Sequence, residues 1–140
     1  MAHKITTHWR GGMLFESDNP SGNNVMMDTK QTALTQQKGL SPKAMMLSSL
    51  AGCSGIDIVD ILKKMKITDY NLQIDVQGEL TSEHPKYYQT VKVDYYFSGV
   101  RIDKKKCLRA VQLSVDKYCG VMEMFRKFAM VKTQIHFQTS

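Results

Sequence analysis

The chain has 140 residues, 42% of them hydrophobic and 23% charged, with a formal net charge of +6, which suits one domain over residues 1–140 with a real core. No apolar run reaches ~18 residues and the opening MAHKITTHWR lacks an apolar signal core, so neither a membrane span nor a secretory signal is expected. Three cysteines at uneven spacing argue against an extracellular disulfide framework and for a reducing, cytoplasmic setting, and the scattered lysines, without aromatics to stack on bases, argue against nucleic acid as a partner.

In chain order, residues 3–9 (KITTHWR) read as a strand of β-forming residues. Gly11-Gly12 makes a turn, and residues 13–17 return as the second strand of a hairpin. The cluster Asp18-Asn19-Pro20-Ser21-Gly22-Asn23 is a dense turn signal, followed by a short strand over Val25 to Asp28. The polar stretch 30–40 reads as a loop. Ser41 and Pro42 then open a long helix running to Lys66, as N-cap and first helical residue, and Lys63, Lys64 and Lys66 close it where cations complement the helix dipole. In residues 70–80, Leu72, Ile74 and Val76 alternate with polar residues, as in a half-buried strand. Residues 87–98 form its neighbour, with Val91, Val93 and Tyr95 on one face, and Gly99 ends it. Asp103 caps a second long helix over 104–119, with Gly120 as its stop. Val121 to Lys127 form a short helix and residues 129–138 a last strand. The resulting order, β-β-β-α-β-β-α-α-β, is an α+β architecture.

The central helix is apolar on nearly every face, which points to burial. Ala51, Gly52, Cys53, Ser54 and Gly55 interrupt it with small residues. Two helical glycines cost roughly 1 kcal/mol each relative to alanine, so another backbone or a ligand is expected to approach there. Ten methionines suit an adaptable core or apolar pocket. Among the chemistries, metal binding has no support, because Cys53, Cys107 and Cys119 form no close pair and the four histidines are dispersed. Nucleotide-loop, metalloprotease and serine-elbow patterns are absent. Thiol chemistry remains. Cys53 sits in the small-residue gap, one turn from Asp57, whose charge opposes a thiolate unless a cation intervenes. A carboxylate in an apolar helix needs a partner, and an arginine is the expected one. Cys119, at the end of a helix, suits a resolving thiol because the negative dipole end disfavours its thiolate. Cys107 reads as a packing thiol.

The segment SPKAMMLSSLAGCSGIDIVDILKKM, followed 66 positions after Cys53 by the cysteine of AVQLSVDKYCGVMEM, resembles the OsmC/Ohr family of osmotically inducible and organic hydroperoxide resistance proteins, closest to its OsmC-like redox protein branch. The resemblance covers nearly the whole chain. It implies antiparallel sheets around a central cysteine-bearing helix, in an intertwined homodimer with its sites at the subunit interface. It further implies a thiol-dependent peroxidase acting on organic hydroperoxides or hydrogen peroxide, without a bound cofactor. In that scheme Cys53 attacks the peroxide and becomes a sulfenic acid, and Cys119 closes a disulfide with it. An external thiol, a lipoyl group in the best-known members, restores both. Arg10, in HWRGG, matches the family's catalytic arginine. Lys43 stands after Pro42, where members with a Pro-Glu start carry the glutamate that holds this arginine. Two alternatives remain beside the peroxidase: a thiol–disulfide redox protein, and a non-catalytic dimer that binds a small apolar ligand.

Overall fold

A computed structural model describes residues 1–139. It divides into two compact units, Met1–Met46 and Leu47–Ser140. The first holds a three-stranded antiparallel sheet of β1 (Thr7–Trp9), β2 (Phe15–Ser17) and β3 (Val25–Met27). The strands are shorter than the β-forming runs around them, because tight turns consume their ends. Arg10 N–H donates to Leu14 O (2.8 Å) and Leu14 N–H to Gly11 O (3.0 Å), with Gly11 at φ 97°, a left-handed value that glycine adopts without strain. After β3 the loop is tied back by Asp28, which accepts from the Thr29 and Lys38 amides. A Cβ on Gly39 would lie 2.7 Å from the Met26 carbonyl carbon, so only glycine lets the loop return against β3.

Helix α1 (Pro42–Lys64) starts as expected: Met45 N–H donates to Ser41 O (2.9 Å). It ends in a Schellman motif. Lys66 takes φ 64°, Lys66 N–H donates to Lys63 O (3.0 Å) and Ile67 N–H to Leu62 O (2.8 Å), which satisfies carbonyls the helix would otherwise leave open. In the second unit, β4 (Asn71–Leu80) and β5 (Tyr88–Gly99) pair antiparallel, and β6 (Met130–Thr139) lies on the far side of β5, giving the order β4-β5-β6. This last ladder is parallel, Val91 opposite Val131 and Tyr95 opposite Ile135, so the expectation of wholly antiparallel sheets is corrected here. The chain leaves β5 at Gly99 and crosses back through α2 (Lys104–Leu113) and α3 (Gly120–Arg126), so β6 starts from the same end as β5.

The core of this unit lies where α1, α2 and α3 meet β5. Leu50, Ser54, Ile58 and Leu62 form the buried stripe of α1, at successive intervals of four residues as one helix face requires. They meet Val91, Val93, Tyr95 and Phe97 of β5, Cys107, Ala110 and Val111 of α2, and Met122 and Phe125 of α3. The opposite side of α1 is not buried within the chain: Ile56 is 73% and Val59 48% exposed. Gly55 serves close approach, since a Cβ there would meet Ile74 Cδ1 at 3.1 Å, whereas Gly52 has nothing within 4 Å. By length and composition alone α1 could also cross a membrane, a test that the core helix of a globular domain passes equally.

Candidate functional site

The site is built within the second unit from four elements. Cys53, Ser54 and Asp57 stand on α1, Cys53 and Asp57 one turn apart on the same side. Tyr95 reaches in from β5. Ser114 and Cys119 bracket a single turn of π-helix, Ser114–Tyr118, that follows α2. The expected uninterrupted helix over 104–119 is corrected here. Its last turn widens so that Cys119 N–H donates to Ser114 O, five residues back, at 2.8 Å, a distortion common at functional sites. Gly120 is not the stop. Cys119 itself leaves the helix with extended backbone (φ −74°, ψ 102°) and caps α3, its sulfur accepting from Met122 N–H at 3.3 Å.

This arrangement brings Cys53 and Cys119 together. The two sulfurs and a carboxylate oxygen of Asp57 all lie within 4.8 Å of one another. Cys53 is partly exposed and Cys119 buried, and both are free thiols. The Cys119 thiol is pushed up to about 11, chiefly by burial. The Met122 amide opposes this, and Cys53 and Asp57 add to it. Cys119 is therefore held protonated chiefly by desolvation. It ends the π turn, as expected, and also caps the N-terminus of α3, so the two helix ends act on its thiolate in opposite senses. Cys107 is wholly buried in the core, its thiol likewise pushed up by burial.

Behind the thiols runs a buried chain of hydroxyls. Tyr95 Oη lies 2.6 Å from Ser54 Oγ, Ser54 Oγ 3.2 Å from Ser114 Oγ, and Ser114 Oγ donates to Asp57 Oδ2 at 3.1 Å. Ser114 Oγ also lies 3.2 Å from the Ser54 carbonyl. A carboxylate only accepts, so where Ser114 donates to Asp57 the sense is Tyr95 to Ser54, Ser54 to Ser114 and Ser114 to Asp57, the Ser114 proton being shared with the Ser54 carbonyl. Burial pushes the Tyr95 phenol up to about 12. The expected arginine beside Asp57 is replaced by this hydroxyl. Arg126, on α3, instead donates to Val115 O at 2.7 Å. Ser54, Tyr95 and Ser114 were not singled out as site residues from sequence. The available signal was a serine at two positions of otherwise apolar helix faces.

Arg10 belongs to the first unit. Its Nε donates to Glu16 Oε1 at 3.0 Å, and Asn24 Nδ2 donates to Glu16 Oε2 at 3.0 Å. The Asn24 and Arg10 bonds hold the Glu16 carboxyl below its ordinary range. Lys43 is exposed in the first turn of α1, and the carboxylate paired with Arg10 is that of Glu16 on β2. Among the described residues, Cys53, Asp57 and Cys119 are also the donors gathered closely enough to hold a metal ion. With Cys119 buried and protonated, the cluster is a thiol pair beside a carboxylate and not a ready ligand set; sequence spacing could not reveal it, because its members come from separate elements.

Comparison with known proteins agrees with this construction. A family model described as OsmC-like protein matches residues 35–134. Protein YhfA of Escherichia coli K12 is 30% identical over 119 residues, covering 85% of this chain and 86% of that protein. A hypothetical protein from Aquifex aeolicus VF5 superposes with a TM-score of 0.86 at 25% identity, over 100% of this chain and 98% of that one. The organic hydroperoxide resistance protein OhrB of Bacillus subtilis shares the fold with a TM-score of 0.63 at 19% identity, over 96% and 98% of the two chains.

Proposed function

The chain belongs to the OsmC-like family, and from this and its paired thiols we propose that it is a thiol-dependent peroxidase for organic hydroperoxides or hydrogen peroxide. The observation that carries the reading is the Cys53–Cys119 pair, with sulfurs within 4.8 Å and opposite exposure. Cys53 is the thiol a substrate can reach. Its thiolate attacks the peroxide, the O–O bond breaks, an alcohol leaves and Cys53 becomes a sulfenic acid. Cys119 lies within closing distance, and its buried, protonated thiol does not compete for the first attack. Condensation then gives a Cys53–Cys119 disulfide and water. Two equivalents of an external thiol, of the lipoyl kind used by characterised members, reduce it again. Arg10, held by Glu16, is assigned the cation that favours the Cys53 thiolate. The working state in this reading is a homodimer in the reducing cytoplasm. Its contact covers the exposed α1 face, where Ile56 and Val59 stand beside Gly52 and Leu72. More than ~2,000 Å² is buried in total, as an obligate interface requires.

The test is stopped-flow consumption of cumene hydroperoxide by reduced wild type and Cys53→Ser, with thiols counted before and after. The expected result is loss of two thiols per chain in wild type and no reaction in Cys53→Ser. Turnover retained by Cys53→Ser refutes the assignment. An inert wild type returns the thiol pair to disulfide exchange with other substrates. Light scattering at micromolar concentration reports the dimer, and a monomeric mass refutes it.

A further inference from the structure

Disulfide closure has a proton problem in this protein. The Cys119 thiol must lose a proton as its sulfur attacks, yet it is buried and kept protonated. The hydroxyl leaving Cys53 must gain one. Among the groups around the two sulfurs, one can do both. Asp57 stands one turn from Cys53 on α1 and has a carboxylate oxygen within 4.8 Å of each sulfur. The Ser114 hydroxyl holds that carboxylate in place, and Ser114 is itself oriented through Ser54 by Tyr95. The other ionisable groups facing this cluster are poorly suited. Asp60, Lys64 and Tyr118 line the cavity beside Asp57, but Asp60 is paired with Lys64 at 2.8 Å and Tyr118 is a phenol, an acid and not a base at neutral pH. Tyr95, from β5, is held as a protonated phenol and is not available as a base at neutral pH. Arg126, from α3, carries no acceptor and is engaged with Val115 O and Glu123.

We propose that Asp57 is the catalytic proton carrier of disulfide closure, accepting the Cys119 thiol proton and delivering it to the hydroxyl that leaves Cys53. The Cys119–Cys53 S–S bond forms and the S–O bond of the sulfenic acid breaks. Cys119 sulfur is oxidised and Cys53 sulfur reduced, and the single proton passes through Asp57 to leave with oxygen as water. The peroxide is the oxidant consumed in the preceding step. The role rests on the thiol-pair reading above, but its test does not need peroxide.

The sign of the effect separates this role from an electrostatic one. The negative charge of Asp57 opposes ionisation of Cys119. If charge were its whole influence, Asp57→Asn would create more Cys119 thiolate and close the disulfide faster. If Asp57 is the base, the same substitution slows closure, by ~100-fold on the usual scale of general base catalysis. The experiment uses reduced protein in a Cys107→Ala background and one equivalent of Ellman's reagent. The first thionitrobenzoate release labels exposed Cys53. The second is expelled when Cys119 attacks that mixed disulfide, and its rate is the rate of closure. Expected for Asp57→Asn is a first phase as fast as wild type or faster, since a charge that opposes the Cys53 thiolate is gone, and a second phase ~100-fold slower at pH 7, climbing with hydroxide and partly restored by added imidazole or by Asp57→Glu. Should Asp57→Asn fail to fold, Ser114→Ala leaves the carboxylate but frees its orientation, and is expected to slow the second phase ~10-fold. A second phase that is unchanged or faster in whichever of these variants folds overturns the proposal. In a parallel hydroperoxide reaction, Asp57→Asn is expected to accumulate a dimedone-reactive sulfenic acid on Cys53. Peroxide inertness of the wild type removes the peroxidase reading, while the second phase still decides the role of Asp57.

Discussion

Burial of Cys119 makes stability depend on alkaline pH, and the size of the effect follows from the site. The folded protein holds this thiol near 11, against an ordinary value of 9.0, mainly by desolvation. A group raised on folding favours the native state fully while it is protonated in both states. Above about 9 the unfolded chain begins to ionise at Cys119 while the folded chain does not, and the advantage is lost as pH climbs through about 11. One unit of displacement corresponds to about 1.4 kcal/mol, so Cys119 contributes roughly 2–3 kcal/mol below pH 9 that is gone by pH 12. Cys107 is displaced in the same direction, so the comparison belongs in a Cys107→Ala background. Tyr95 ionises near 12, which sets the upper limit of the useful range at pH 11. The assay is urea unfolding of Cys107→Ala and Cys107→Ala/Cys119→Ala at equal protein concentration, under reducing conditions, from pH 8 to 11. The stability difference between the two is expected to stay level to just below pH 9 and then to narrow by roughly 2 kcal/mol by pH 11. Parallel stability curves across that range refute the reasoning, since they would mean that Cys119 ionises alike in both states.

Two further substitutions probe the surroundings of the thiols. If Arg10 is the cation that favours the Cys53 thiolate, Arg10→Ala slows reaction of Cys53 with iodoacetamide at pH 7 by ~10-fold or more, the effect of losing an adjacent charge. An unchanged alkylation rate assigns the part elsewhere. Tyr95→Phe keeps the ring in the core but removes the 2.6 Å bond to Ser54, and is expected to cost ~1–2 kcal/mol of stability. In a double-mutant cycle with Ser114→Ala, the two changes should couple by ~0.5 kcal/mol or more. Strict additivity contradicts a continuous chain of hydroxyls.

Much of the fold was legible because it is written in local signals. Ser41-Pro42 starts α1, the alternation of Leu72, Ile74 and Val76 marks β4, and Asp103 accepts the Lys106 amide as the cap of α2. The errors fall where a local signal has two readings. Gly120 looked like a helix stop because glycine commonly ends helices, yet a cysteine sulfur took the capping role and glycine opened the next helix. The all-round apolarity of α1 predicted burial, but one chain covers only the Leu50–Leu62 stripe and leaves Ile56 and Val59 exposed. The direction of β6 was not readable from its own residues, since it depends on which end of β5 the intervening helices return to.

The candidate site was less legible, for a physical reason. Its parts lie up to 66 residues apart, and no periodicity links α1 to the turn after α2. The resemblance supplied the pairing of Cys53 with Cys119, and the structure supplies what stands around it. Sequence reasoning correctly demanded a partner for Asp57 but chose an arginine, on the premise that a carboxylate in an apolar helix must be neutralised. A half-buried carboxylate needs only a donor, and Ser114 provides one without supplying a charge. That difference has a geometric consequence. An arginine would occupy both carboxylate oxygens in a fork, whereas the single Ser114 hydroxyl engages Oδ2 alone and leaves the carboxylate open toward the two sulfurs, the arrangement that the proposed role in disulfide closure needs.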